Sequence, residues 1–492
     1  MIPSAALAAE PRAPLPDDAP FLERIFEIEA REERYRLDGV IGTIPPFVRG
    51  TYYVNGPARF RRGELGYRHW LDGDGMVVAL RFDDDGVRLT NRYVRSAKLE
   101  AEEAAGRALF RTFGTTFEGD RLARGVGLES PANVSVFPYA GTLLAFGEQG
   151  LPYELDPDTL ETRGLYTFGR RLNPISPFSA HPCFDPWTGD LVNFGVSFDP
   201  RRPAVTLYQA TAEGEVTGRH RIPIDLPVSM HDFGITRNHA IFHLSPFVLD
   251  VRGILDRDQS VMESLDWQGD RGTRLLVVGR DDGKAIAEIA IGDRYCLHLI
   301  NCFETGDETG DENRLVVDLV EFDEPVYREY EPIPDLFQTV TPGRPVRFRI
   351  DLESGRLESR EELDYDRSPD FPAIDPRRSC RATDDLWLLG ISRSGEPGRK
   401  FFDQLAHLSW EEGAEPDVFQ SPSGSYLGCE PVFIPDPTSP DQGIILVKQF
   451  DATTRRDAYL LFDAFDVARG PIARLPLRHP IPPGFHAVFE PF

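Results

Sequence analysis

The chain has 492 residues, 41% of them hydrophobic, which is enough apolar content for a large core. Its formal net charge of −26 argues against nucleic-acid binding and against general attraction to anionic lipid. It leaves room only for peripheral membrane contact through a local apolar patch. The five cysteines (Cys183, Cys296, Cys302, Cys380 and Cys429) form no CxxC pair and read as reduced thiols of a cytoplasmic protein.

In chain order, residues 1–20 carry Pro11, Pro14, Pro16 and Pro20 and read as a flexible arm. The first ten residues lack Lys and Arg, so no signal peptide is expected, and no apolar run is long enough for a spanning helix. Residues 21–492 are expected to form a single domain. Within it, helices are expected over 21–36, over 99–110, which is rich in Ala, Glu and Leu, and over 260–267. Elsewhere short strand-like runs flank turn residues. These turns fall at Asp85-Gly86, at 156–158, just before Gly189, at Glu213-Gly214, Asp282-Gly283 and Ser354-Gly355, and over 464–470. Repeated strand–turn–strand units over this length point to an all-β propeller or stacked β repeats, with no blade number legible in the spacing. The 33 phenylalanines, against 4 methionines and 5 tryptophans, favour strands and aromatic-lined cavities.

Four of the ten histidines lie in apolar, strand-like contexts: His181 in Ala-His-Pro-Cys-Phe, His231 in Met-His-Asp-Phe, His298 in Cys-Leu-His-Leu-Ile and His486 in Gly-Phe-His-Ala-Val. A single histidine of this kind is more often a satisfied core residue than a ligand. As a set, widely separated along the chain, they fit metal ligands supplied by different blades to a common axis rather than a local motif such as HExxH. Metal-bound imidazoles need carboxylates to fix their orientation. Glu148, Asp370 and Glu430 lie in apolar surroundings that suit this task. His69, before a Gly-rich turn, reads as structural. No GxGxxG or GxxxxGK[ST] stretch calls for a nucleotide cofactor.

The motifs Gly50-Thr-Tyr-Tyr-Val-Asn-Gly-Pro, Leu71-Asp-Gly-Asp-Gly-Met, Ala180-His-Pro, Met230-His-Asp-Phe, His298-x-x-Asn301-x-x-Glu304, Glu430-Pro-Val-Phe and Pro483-Gly-Phe-His run through nearly the whole chain past about residue 35. In kind and order they resemble those of the carotenoid cleavage oxygenase family. The resemblance implies a seven-bladed β-propeller with a helical and loop cap over its top face. It also implies a non-haem Fe(2+) held by His181, His231, His298 and His486, with Glu148, Asp370 and Glu430 orienting the ligands. Asp370 departs from the family's usual Glu and has one methylene less to reach an imidazole. Four neutral imidazoles leave iron its full charge and one or two open octahedral positions, which suits direct use of O2 on an electron-rich alkene.

The implied reaction is cleavage of a C=C double bond of an apolar small-molecule alkene with O2, giving two carbonyl products. No acid–base residue is expected to be essential. A carotenoid or apocarotenoid is the expected substrate, and a stilbenoid or phenylpropenoid is the alternative. Phenol-cleaving members hold their substrate with a Tyr and a Lys; Tyr93 matches the first, while Glu129-Ser-Pro stands where the Lys should fall. Residues 245–255 are the candidate substrate entrance. Below these readings stand a retinoid-ester isomerohydrolase and a non-catalytic propeller with structural histidines.

Overall fold

The computed structural model describes residues 22–123, 127–148, 150–306, 313–331, 333, 335–439 and 441–492; the arm expected over 1–20 lies outside them. Seven antiparallel sheets of four or five strands form the blades of a β-propeller. Their first strands are Ala487–Pro491 (blade 1), Ser135–Tyr139 (blade 2), Cys183–Phe184 (blade 3), Phe233–Ile235 (blade 4), Tyr295–Thr305 (blade 5), Asp370–Ala373 (blade 6) and Ser425–Pro435 (blade 7). These strands touch one another around a central axis: Tyr295–Thr305 meets Phe233–Ile235 and Asp370–Ala373, and Ser425–Pro435 meets Asp370–Ala373 and Ala487–Pro491.

The sequence pattern sets the depth of each strand. In blade 5, Arg314–Phe322 is buried along nearly its whole length, whereas the outermost strand, Arg356–Glu362, alternates and faces solvent. Neighbouring blades share dry cores. Ile241 and Val277 of blade 4 pack with Val317 and Leu319 of blade 5. All seven turns expected from the sequence join adjacent antiparallel strands.

The ring is closed at both ends of the chain. Ala487–Pro491 pairs with Gly50–Arg59 as the first strand of blade 1, and Ile41–Gly42 pairs with Ala473–Pro476 as the outer strand of blade 7. Radial repetition of the blades leaves only short outer edges. Gly56 and Gly484 allow the C-terminal segment to cross strand Gly50–Arg59, because a Cβ on either would collide with its neighbours. The approach to that crossing is fixed by the buried Lys448–Asp457 pair: Lys448 donates to the Ile481 carbonyl and Asp457 accepts from the Ile481 N–H.

Three expected helices are redrawn. Among the described residues of 21–36 only Glu23–Phe26 is helical, and Glu33–Arg36 becomes the outer strand of blade 1, because its alternating residues find Gly86–Tyr93 to pair with. The helix expected over 99–110 is Ala97–Ala105. It starts earlier because Ser96 Oγ caps Leu99 N–H (3.2 Å), and it stops at Gly106, whose φ is +65°. Over 260–267 a single 3-10 turn, Met262–Ser264, leads into strand Leu265–Trp267.

That strand pairs with Phe247–Leu249, so 245–255 is a packed hairpin and helix whose Leu249 lines the cavity described below. Its Phe247, Leu249 and Ile254 are buried, and Leu255 is the large apolar residue left exposed. Together with Phe113 and Tyr327 these residues belong to one apolar cluster, the cap over the histidine end of the axis.

Candidate metal centre

The blades bring all four singled-out histidines to one point. His181 and His231 each lie two residues before the first strands of blades 3 and 4, His298 lies inside that of blade 5, and His486 directly precedes that of blade 1. The corresponding strands of blades 6 and 7 carry Asp370 and Glu430 instead, and Glu148 follows strand Thr142–Phe146 of blade 2. One ring nitrogen from each histidine lies within 4.8 Å of all the others. His181 Nε2 is 2.9 Å from His231 Nε2, and the His181 ring centroid is 4.3 Å from those of both His231 and His486.

The carboxylates decide which nitrogen faces inward. His231 Nδ1 donates to Glu148 Oε1 (2.8 Å) and His298 Nδ1 donates to Asp370 Oδ1 (2.5 Å), while His486 Nδ1 is 3.5 Å from Glu430 Oε2. A neutral imidazole that donates from Nδ1 presents a bare lone pair at Nε2. The Nε2 atoms of His231 and His298 therefore turn lone pairs toward the shared centre, and His298 Nε2 is a buried polar atom with no hydrogen-bond partner among the described residues. Buried lone pairs converging without a donor are what a cation would satisfy, so the donor set fits a divalent transition metal.

The electrostatics agree. Burial, reinforced by the neighbouring histidines, holds the His181 imidazole well below its ordinary pKa. Burial also lowers His486, against the opposing pull of Glu430. At His298 burial acts downward, but the Asp370 charge and hydrogen bond outweigh it and raise the ring.

Asp370 reaches His298 directly despite its short side chain, because the backbone moves in. Phe371 takes a φ of +52°, the strand register slips between Asp370 and Ala373, and the Asp370 carboxylate also accepts from Phe371 N–H (2.8 Å) and Tyr330 Oη (3.4 Å).

One carboxylate was not anticipated. Asp232 Oδ1 lies 3.6 Å from His181 Nδ1, and the group accepts from Phe233 N–H (2.7 Å) and Leu299 N–H (2.8 Å), tying blade 4 to the His298 strand. Burial pushes its carboxyl up to about 6. Its signal was its place beside His231 in Met-His-Asp-Phe. His69 is structural, as expected: Nδ1 accepts from Leu71 N–H and Nε2 donates to the Tyr327 carbonyl. Glu304 joins blades 5 and 4 by accepting from His239 Nδ1 (2.8 Å) and Asn238 N–H (3.0 Å).

A cavity of about 720 Å³ opens beside this centre, with Glu148, the partner of His231, in its wall, a volume suited to one small molecule. Phe113, Leu128, Leu151, Phe178 and Leu265 form apolar wall, and Glu148, Ser179 and Ser229 lie where it passes beside His181 and His231. Leu165 and Ile175, 36% and 64% exposed, lie on its outer side. Tyr93 does not line it; its ring packs under Arg59 and its hydroxyl donates to the Ala30 carbonyl (3.4 Å). Glu129 does line it.

The family described as retinal pigment epithelial membrane protein (RPE65) matches residues 26–491. The chain is similar to the apocarotenoid-15,15'-oxygenase of Synechocystis sp., with 28% identity covering 94% of each chain. It is also 28% identical to the isoeugenol monooxygenase of Pseudomonas nitroreducens, over 92% of this chain and 94% of that one. Among solved structures, the cobalt-substituted Synechocystis apocarotenoid oxygenase superposes with a TM-score of 0.87 at 26% identity, covering 96% of this chain and 98% of that one.

Proposed function

The chain belongs to the retinal pigment epithelial membrane protein family of alkene-cleaving, non-haem iron oxygenases, and from that premise we propose that it is an iron(II) dioxygenase acting on a C=C double bond of a carotenoid or apocarotenoid. The reaction is R–CH=CH–R′ + O2 → R–CHO + R′–CHO. The observation that carries this reading is the convergence of four imidazoles on one buried point with an unpartnered nitrogen among them.

His181, His231, His298 and His486 would hold the iron; bound there, iron(II) supplies the activation of O2. The chain's own residues do the rest. Glu148 and Asp370 accept from Nδ1 of His231 and His298, which aims both rings inward and leaves Nε2 as the ligating atom. Glu430 braces the C-terminal ligand from both sides, facing His486 Nδ1 and accepting from Ala487 N–H (3.0 Å). Phe371 and Tyr327, with ring centroids 5.5 Å from His486 and 6.1 Å from His231, exclude water from the centre. The cavity positions one double bond against it, and that placement selects the bond cleaved.

A stilbenoid or phenylpropenoid substrate is the second reading, favoured by the equal identity to the isoeugenol monooxygenase. The absence of Tyr93 from the cavity wall argues for the first. Aerobic incubation of iron-loaded protein with apocarotenals, carotenoids, resveratrol and isoeugenol under 18O2 tests both. Labelled aldehydes from the apocarotenals are expected. Cleavage confined to the phenolic alkenes would favour the second reading, and unlabelled products would overturn the oxygenase assignment.

A further inference from the structure

Three of the converging imidazoles have a carboxylate at Nδ1: Glu148 for His231, Asp370 for His298 and Glu430 for His486. His181 stands outside that scheme, yet its surroundings complete it. Its Nε2 lies 2.9 Å from His231 Nε2, at the shared centre, so its Nδ1 faces outward. On that outer side lies Asp232, with Oδ1 3.6 Å from Nδ1. The two side chains are only 12% and 11% exposed, so little water competes for either group.

Both partners are fixed in place. Asp232 Oδ1 accepts from Phe233 N–H (2.7 Å), and Oδ2 accepts from Leu299 N–H (2.8 Å). A carboxylate has about four acceptor positions, and these bonds leave room for a further donor. Ser179 Oγ accepts from His181 N–H (3.0 Å) and donates to the His231 carbonyl (3.3 Å), which ties the backbone of one ligand to that of the other. Asp232, next to His231 in the chain, is thereby brought against the His181 ring. The separation resembles that of His486 and Glu430, 3.5 Å. The centre thus has two close imidazole–carboxylate pairs and two longer ones.

We propose that Asp232 is the positioning residue of the fourth ligand: it accepts from His181 Nδ1–H, fixes the tautomer that leaves Nε2 bare, and holds the ring toward the metal. This rests on the metal centre proposed above and deepens it, because each of the four imidazoles then has its own carboxylate. The rival role is structural alone, a bracket between blades 4 and 5 through Leu299. The amide of Asp232→Asn separates the two. It offers one oxygen and one NH2 group where the carboxylate has two accepting oxygens, so it cannot serve the backbone donors and His181 together.

The test uses cobalt(II) as the probe. It is titrated into metal-free wild type, Asp232→Asn and, as a reference, Glu148→Gln, and the d–d absorption bands and thermal unfolding midpoint of each are recorded. Asp232→Asn is expected to bind cobalt about 10–100-fold more weakly than wild type, as Glu148→Gln does, with its d–d bands displaced. Wild-type affinity and bands in folded Asp232→Asn overturn the proposal and leave only the bracket, whatever the midpoint. Wild type supplies a second measurement that needs no variant to fold. In a crystal structure of the cobalt-loaded protein, His181 Nδ1 and Asp232 Oδ1 are expected within about 3.2 Å of each other; a wider gap, or a water between them, overturns the proposal alone. Wild type that takes up no cobalt at the four histidines overturns the metal-centre reading itself, and the proposal falls with it.

Discussion

Two of the buried polar clusters are built on opposite plans. The first pins helix Ala97–Ala105 to blade 1. Lys98 Nζ, fully enclosed, bonds Asp74 Oδ1 (2.8 Å), Glu102 Oε2 (3.0 Å) and Tyr67 Oη (3.0 Å), and Arg62 pairs with the same two carboxylates. Two cations meet two anions, and the charges close within the protein. The second cluster, on the axis, gathers four imidazoles with Glu148, Asp370 and Glu430 around them and leaves His298 Nε2 without a partner among the described residues. A buried polar group left unsatisfied is costly unless something outside the chain completes it. The closed cluster belongs to stability and the open one to chemistry, and substitutions should separate the two.

The sharpest break comes at the axis. His298→Ala should lower iron content from near one per chain to near zero and abolish cleavage, with some fall in the unfolding midpoint because the buried Asp370 carboxylate loses its imidazole; metal analysis and calorimetry check both. Deleting 486–492 removes a ligand and the first strand of blade 1 together, so iron binding and thermal stability should fall in the same preparation. Lys98→Met is the mirror experiment. It strands buried carboxylates and should cost about 3–5 kcal/mol by denaturant titration, while whatever remains folded binds iron normally.

Asp370→Asn should be milder. It removes the charge that orients His298 and should weaken metal affinity about 10–100-fold, read by competition with a chelator. The smallest effect is in pH. In metal-free protein the raised His298 pKa adds stability below the ring's ordinary value, and that stability is lost as pH rises through the raised value. Metal needs the neutral ring, so iron affinity should climb across the same interval as protons leave, and fall again on acidification. His181, already held low, contributes little to that slope.

Much of this was legible in the chain because it is local. The hairpin turns carry their own residue chemistry, and the four histidines sit in apolar, strand-like stretches inside recognisable motifs, whereas His243, in the buried strand His239–Leu244, does not. What was hidden depends on partners far away in sequence. Strand Glu33–Arg36 looked helical until Gly86–Tyr93 gave it an edge to join. Which imidazole Asp370 serves is settled by the ring order of blades 5 and 6, and its short reach is offset by the positive φ of Phe371, a backbone choice that composition does not announce. Asp232 escaped notice because its role, bridging His231's strand to Leu299, exists only once two blades are side by side.

The central claim is that the four converging histidines hold one iron and that this iron is what the reaction needs. Anaerobic reconstitution with iron(II), followed by metal analysis and product assay on wild type and His298→Ala, tests it most directly. The account predicts about one iron per chain with aldehyde formation in wild type, and a folded, iron-free, inactive variant. Cleavage by metal-free wild type, or full iron content in folded His298→Ala, would contradict it.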